Sequence, residues 1–334
     1  MDIKKRVFSG ARPTGRQHLG NYLGAIKNYV RLQERYECVY CIVDLHALTT
    51  LEETGKLREN VHEMMLDWLA AGLDPERSIL FVQSHVPEVT ELHTLFGMLT
   101  PLSWLLRVPT FKEKARHQPQ NVNYGLVGYP VLMAADISTY KAQVIPVGED
   151  QVPHLELARE IVRRFNAQFG EVFPEPQPEL TEFPMVVGLD GVQKMSKSYN
   201  NQIEICATAK ETEHRVSSAV TDPARRLRSD IGHPEVCNVY RLHQFFSQSK
   251  VDEIASGCRC AGIGCVECKR LLAKGINESL APFREKRAYL ADRKGLVEEV
   301  IAEGARRAQA IARETVREAK DRMGLPLPGT RYSD

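Results

Sequence analysis

The 334-residue chain lacks any stretch that would carry it into or across a membrane. No early segment runs from basic to apolar in the manner of a secretory signal. No uninterrupted apolar run approaches the roughly 20 residues that a helix needs to span a bilayer. The expectation is a soluble, cytoplasmic protein with no membrane partner. An excess of charge is missing too, since 44 Lys and Arg face 43 Asp and Glu. That balance neither marks nor excludes a nucleic-acid partner, because local patches decide such binding. There are no internal repeats and no low-complexity segments. What the chain does have is length enough for two domains and eight cysteines. In a cytosolic chain of this size, these argue for ligands or buried thiols rather than a disulfide framework.

Short β-rich runs alternate with amphipathic helices over residues 1–200. Residues 6–9, 38–43, 79–82 and 144–147 read as strands. One helix is predicted from about His18 to Gln33. A second opens on a capping box of Thr50 and Glu53 and stops at Gly72. Asp150 is expected to cap a helix reaching about Phe169. Such alternation implies an α/β fold, a doubly wound parallel sheet in a Rossmann-like catalytic domain, with ligands beyond the carboxyl ends of the strands. Residues 173–184 are proline-rich and read as a linker or covering loop, and 185–187 as the strand leading into a lysine-rich loop. From 201 to 334 the chain reads as an α-helical domain. Residues 278–322, dense in Ala, Glu, Arg and Lys, suit two or three packed helices, the last of them able to pack back on the first domain.

Two motifs lie at such strand ends. Thr14-Gly15-Arg16-Gln17-His18-Leu19-Gly20-Asn21 has glycines that let backbone approach phosphate, with His18 and Asn21 as hydrogen-bonding side chains. Lys194-Met195-Ser196-Lys197-Ser198 follows the turn-forming Leu189-Asp190-Gly191 and can bring two ammonium groups onto a polyphosphate. Each alone is most simply a helix start or a solvated turn. Together, in this order, they resemble the signature motifs of class I aminoacyl-tRNA synthetases, with Asn21 where many members have a second histidine.

Between them, Tyr129, Met133 and Asp136 share one face of an apolar helix. A carboxylate there is costly unless hydrogen-bonded, either to a backbone N–H or to a ligand such as an indole, which has one donor and a large apolar body. Met133-Ala134-Ala135-Asp136-Ile137 is similar to the indole-recognition helix of tryptophanyl-tRNA synthetases. Gly148-Glu149-Asp150-Gln151 resembles that family's second substrate segment, and Phe8 to Gly15 its first strand and loop, with Arg12 where glutamine is common. The resemblance implies activation of L-tryptophan by ATP with Mg²⁺, then transfer to tRNA(Trp), by a homodimer. It makes Asp136 the specificity carboxylate, gives Tyr129 and Gln151 the α-amino group, and puts Phe8, His46, Met133 and Val147 around the ring. Arg12, Pro13, Thr14, Gly20 and Asn21 would hold ATP from one side, and Gly148, Glu149, Asp150 and Val187 would surround ribose and adenine. Lys194, Met195, Ser196, Lys197 and Ser198 would close over the phosphates. Lys194, Lys197, Lys114 and His18 form the expected catalytic group. A small-molecule nucleotidyltransferase and a silent RNA-binding paralogue are the competing readings.

Cys237, Cys258, Cys260, Cys265 and Cys268 crowd into a glycine-rich part of the helical half, with one C-x₂-C pair. A metal site is expected, with Zn²⁺ and an iron–sulfur cluster both open on the residues alone. The segment is similar to the [4Fe–4S] site of a subset of bacterial tryptophanyl-tRNA synthetases. That resemblance implies Cys237, Cys258, Cys265 and Cys268 as ligands, with Cys260 spare or in place of Cys258. Cys38 and Cys41, three apart on a strand, face opposite sides and are expected to be core thiols, as is Cys206.

Overall fold

The computed structural model describes residues 4–50, 53–108, 111–112, 115–116, 119–180 and 186–329. Its centre is a five-stranded sheet in the order β3-β2-β1-β4-β5. The strands are β1 (Arg6–Ala11), β2 (Glu37–Ile42), β3 (Ser78–Val82), β4 (Val144–Val147) and β5 (Gln177–Leu180). Every neighbouring pair is parallel. Both faces of such a sheet are covered, so its central strands are apolar throughout rather than alternating. Val7, Cys38, Tyr40, Ile42, Leu80 and Val82 face one core. Phe8, Val39, Cys41, Ile79, Phe81 and Ile145 face the other. Cys38 and Cys41 are both fully buried, one on each side.

Four expectations need correction. Residues 177–180 are a strand, not covering loop. Its sequence, Gln-Pro-Glu-Leu, is mostly exposed and carries a proline, which an edge strand tolerates because one side of its ladder is empty. Thr50 and Glu53 do not open the next helix, which runs Leu57–Ala71 from Lys56 without a side-chain cap; Gly72 ends it at φ +114°. The Val152–Phe169 helix has Gln151, not Asp150, at its N-cap position. A 3₁₀ turn, Glu149–Gln151, precedes it, and Pro153 fits its first turn. Val187 pairs antiparallel with Lys194 instead of joining the sheet. Met185 lies outside the described residues.

The helix expected from His18 begins there, but contains a π segment, Tyr22–Ile26, between α segments Leu19–Asn21 and Lys27–Leu32. Beyond residue 200 the chain is helical, with Ala209–Ser217, Asn238–Phe246, Val251–Arg259, Cys265–Ala291 and Leu296–Arg322 as its α-helices among the described residues. The Leu296–Arg322 helix returns to the sheet. Val297, Val300 and Ile301 join the core on one face, and Ala305, Ala308, Ala312 and Ala319 join that on the other. It therefore crosses the open edge at β3. Gly304 marks the crossing, where a Cβ would stand 1.8 Å from the Leu80 carbonyl oxygen. Ion pairs Arg313–Glu88, Lys320–Glu91 and Lys141–Glu318 line its outer flank.

Because that clash is with backbone, Gly304→Ala should force the helix off β3. The expected cost is about 3 kcal/mol, at the upper end for an overpacked site. Thermal unfolding should show a midpoint lowered by several degrees, whereas Gly55→Ala, with open space around it and no positive φ, should lack any such penalty.

Candidate active site

Two loops and one helix meet beyond the carboxyl ends of β2 and β3. Asp136, on the Tyr124–Thr139 helix, is 2% exposed. Its carboxylate accepts from His46 Nε2 at 2.9 Å and from Gln83 Nε2 at 2.8 and 2.9 Å. His46 lies just past β2, and Gln83 directly follows β3. The Gln83 side-chain carbonyl, Oε1, in turn accepts from the His46 backbone N–H at 3.3 Å. A buried carboxylate loses several kcal/mol of hydration, and donors from two other elements offset it here. Of the bonds weighed for Asp136, the backbone N–H is not the one found. Gln83 was missed from sequence; the only signal was an amide placed at a strand end, as His46 is.

The Tyr129 hydroxyl is hydrogen-bonded to His154 Nε2, and the Tyr129 ring lies edge-on to His46, 6.2 Å between centroids. Met133 is half-buried on the same helix, and Val147 is buried at the end of β4. Gln151 closes the 3₁₀ turn that Gly148 opens. Phe8 is buried and stacked on Tyr140, 5.5 Å between centroids. A cleft of about 280 Å³ lies beside Tyr129 among Thr49, His93 and Leu132, but Asp136 is not in its wall.

The second loop follows β1. Gly15, at φ +116°, takes a turn that other residues avoid. His18 and Asn21 form a reciprocal cap, Asn21 N–H to His18 Nδ1 at 3.3 Å and His18 N–H to Asn21 Oδ1 at 3.1 Å. An Nδ1 that accepts puts the imidazole proton on Nε2. Burial, then the charges of Lys197 and Lys194, lower the His18 pKa to about 4. The ring is therefore neutral at physiological pH.

The two motifs touch across 180 residues of sequence. Lys197 Nζ donates to the Thr14 carbonyl at 3.5 Å, and burial lowers its pKa. Met195, 1% exposed, anchors the loop, and a Cβ at Gly20 would stand 3.3 Å from it. Ser196 caps the turn Lys197–Tyr199 through Ser198 N–H at 3.2 Å. Asn201, also missed from sequence, templates this loop. It accepts from Ser196 N–H at 2.7 Å and donates to Asp190 at 2.7 Å and the Lys194 carbonyl at 3.2 Å. Pro13 is buried, Val187 half-buried, and Arg12 exposed, donating to Thr50 Oγ1 at 3.3 Å. Lys114 lies outside the described residues.

The family model for class I tRNA synthetases (W and Y) matches residues 3–281. The tryptophan–tRNA ligase of Thermotoga maritima is 46% identical, over 96% of this chain and 99% of that protein. That of Aquifex aeolicus is 41% identical, over 96% and 100%. The chain belongs to the tryptophan–tRNA ligases, class I tRNA synthetases. The structure of tryptophanyl-tRNA synthetase from Campylobacter jejuni complexed with ADP and tryptophan superimposes with a TM-score of 0.87 at 35% identity, covering 96% of this chain and all of that one.

In the helical half of this synthetase, Cys237 is buried, Cys258, Cys265 and Cys268 are half-buried, and Cys260 is exposed. Burial, with the nearby Cys237, Cys258 and Cys265, pushes the Cys268 thiol up to about 12. Cys260 turns to the Gly257 carbonyl at 3.7 Å. Arg225 Nη1 donates to Cys258 Sγ at 3.8 Å, and His243 Nε2 lies 3.4 Å from Cys268 Sγ. The four thiols are neighbours, and their chemistry suits a thiophilic centre. They do not close around one: among the described residues no three His, Cys, Asp or Glu stand in metal-holding geometry.

The folded pKa of His18 lies below its ordinary 6.5, so the fold favours the neutral ring. Its contribution, about 3 kcal/mol, is complete above pH 6.5 and is lost as pH falls toward 4. Unfolding midpoints measured from pH 7 to pH 4 should therefore fall less steeply for His18→Asn, which keeps a cap acceptor but has no proton to take up.

Proposed function

We propose that this synthetase joins the carboxylate of L-tryptophan to the α-phosphate of ATP, releasing pyrophosphate, and passes the tryptophanyl group to tRNA(Trp). The observation that carries the substrate is Asp136, a buried carboxylate on an apolar helix at the strand ends. Two donors occupy it through three contacts. A carboxylate has about four lone-pair positions, so one acceptor site remains for the indole N–H. Tyr129 and Gln151 take the α-amino group, and Phe8, His46, Met133 and Val147 bound the ring.

The attacking carboxylate is already ionised, so the first step needs no general base. The protein has to align two anions and stabilise charge on the departing pyrophosphate. Thr14, Gly20, Asn21, Arg12 and Pro13 hold the triphosphate, with His18 donating from Nε2. Gly148, Glu149, Asp150 and Val187 surround the nucleoside. Lys194, Lys197 and Lys114 meet the pyrophosphate, and Mg²⁺ would add countercharge there. The contact between Lys197 and Thr14 supports this division of labour. Residues 1–200 serve as the catalytic unit and 201–334 as the tRNA-facing one, in the cytoplasm. The enzyme pairs with a second copy through the face where Met98, Leu102, Leu106, Val122 and Tyr124 stand exposed.

The cysteines, on this reading, hold a [4Fe–4S] cluster through Cys237, Cys258, Cys265 and Cys268. The grouping of those four thiols, with Cys260 turned away, supports the ligand set; Zn²⁺ is the alternative.

Tryptophan-dependent ATP–pyrophosphate exchange tests the substrate. It should be strong with tryptophan and absent with tyrosine. Asp136→Ala should lose roughly 2–4 kcal/mol in kcat/KM for tryptophan, the range for a buried charged hydrogen bond. Near-normal activation by that variant would remove the indole assignment.

Protein purified without oxygen should be brown, with about four iron atoms and four sulfides per chain. Colourless protein holding one zinc would replace the cluster with a zinc site, and metal-free protein that still charges tRNA would leave neither.

A further inference from the structure

One 27-residue helix, Cys265–Ala291, carries Cys265 and Cys268 in its first turn and Arg284 and Arg287 near its far end. At 1.5 Å per residue, Cys268 and Arg287 are about 28 Å apart along it. Arg287 enters the sheet side of the molecule, where its Nε donates to Asp67 Oδ1 at 2.6 Å and its Nη2 to Glu63 Oε2 at 2.5 Å. Arg284 donates to the Ile205 carbonyl at 3.2 Å and to Thr212 Oγ1 at 3.0 Å.

Asp67 is fully buried on the Leu57–Ala71 helix, whose Asn60 side chain lies against Gly15. Positions 60, 63 and 67 share one face of that helix, and the face looks onto the loop after β1. The Gln17 backbone N–H faces the Asp67 carboxylate, whose Oδ2 has no hydrogen-bond partner of ordinary geometry. The other edge of the loop is held by Ile205 N–H to the Gln17 carbonyl at 3.0 Å and Leu19 N–H to the Ile203 carbonyl at 2.9 Å. The backbone entering His18 thus lies between Asp67 and residues 203–205. Arg287 and Arg284 fix both jaws.

We propose that Arg287 and Asp67 are positioning residues for adenylation: the guanidinium fixes the carboxylate and the helix face that back the loop at Gly15 and Gln17, and so sets where His18 and Lys197 meet the triphosphate. Neither residue touches the substrate. The proposal rests on the adenylation reading above.

Asp67→Asn, Arg287→Met, Arg287→Lys and the Asn/Met double variant separate this from a merely structural ion pair. In pyrophosphate exchange, Asp67→Asn and Arg287→Met should each lower kcat by at least about tenfold, as small displacements of reacting groups do. KM for tryptophan should stay within about twofold, because Asp136 is untouched. The double variant should be no worse than the worse single one, and Arg287→Lys should recover part of the loss. If either single variant is insoluble, Glu63→Gln, at the rim of the same cluster, should show the same split on a smaller scale. Unchanged kcat in variants whose melting temperature has fallen would overturn the proposal, as would a parallel loss of tryptophan affinity. Wild-type protein without tryptophan-dependent exchange would overturn it together with the functional reading.

Discussion

A single negative charge, placed where water does not reach, organises the substrate end of this molecule. The Asp136 carboxylate can be buried on an apolar helix only if the strand ends beside it present donors. His46 and Gln83 do so from loops after different strands. The same demand fixes the neighbours, since the Gln83 side-chain carbonyl must then find the His46 backbone N–H, and the Tyr129 edge sits against the imidazole. Moving any one of these groups would leave a buried polar atom without a partner, which costs more than a hydrogen bond returns. The pocket is therefore specified by polar satisfaction at least as much as by shape.

At the phosphate end the constraint is different. Close approach matters most there, and small residues and backbone do the work. Gly15 and Gly20 leave room for Lys197 and Met195, and Gly188 leaves room for Asn201, whose amide would otherwise collide with a Cβ at 2.1 Å. The lysine loop is consequently tethered at Met195 and Asn201, with Lys194 exposed and Lys197 half-buried against the loop after β1. Cation and neutral imidazole coexist because burial keeps the His18 ring uncharged next to Lys197.

The four apolar strands were legible because a buried parallel strand leaves an apolar run, and the two loops because their glycine, histidine and lysine spacings are unusual. Asp136 was legible as a lone charge on an apolar face. Strand β5 was not, since an exposed edge strand with a proline has neither alternation nor an apolar run. Gln83 and Asn201 were invisible for a related reason: an amide that satisfies distant backbone and side-chain groups has no local pattern to betray it. The helix start at Leu57 was misplaced because Thr50 and Glu53 supplied a cap signal that the backbone does not use. Five cysteines crowded into one segment were legible, and the set of four came from the family resemblance; the contacts of Arg225 with Cys258 and of His243 with Cys268 have no signature in spacing.

The path of the Leu296–Arg322 helix across β3 has a consequence for how the chain acquires its structure. The third strand is made early in synthesis, yet the element that shields its open edge is separated from it by more than two hundred residues. Contacts of such long sequence separation form slowly, and an unshielded strand edge invites pairing with another chain. During translation the nascent sheet must therefore wait, exposed, for nearly the whole polypeptide to emerge. Heavy dependence on chaperones, and poor tolerance of late chain termination, belong to this architecture rather than to its chemistry.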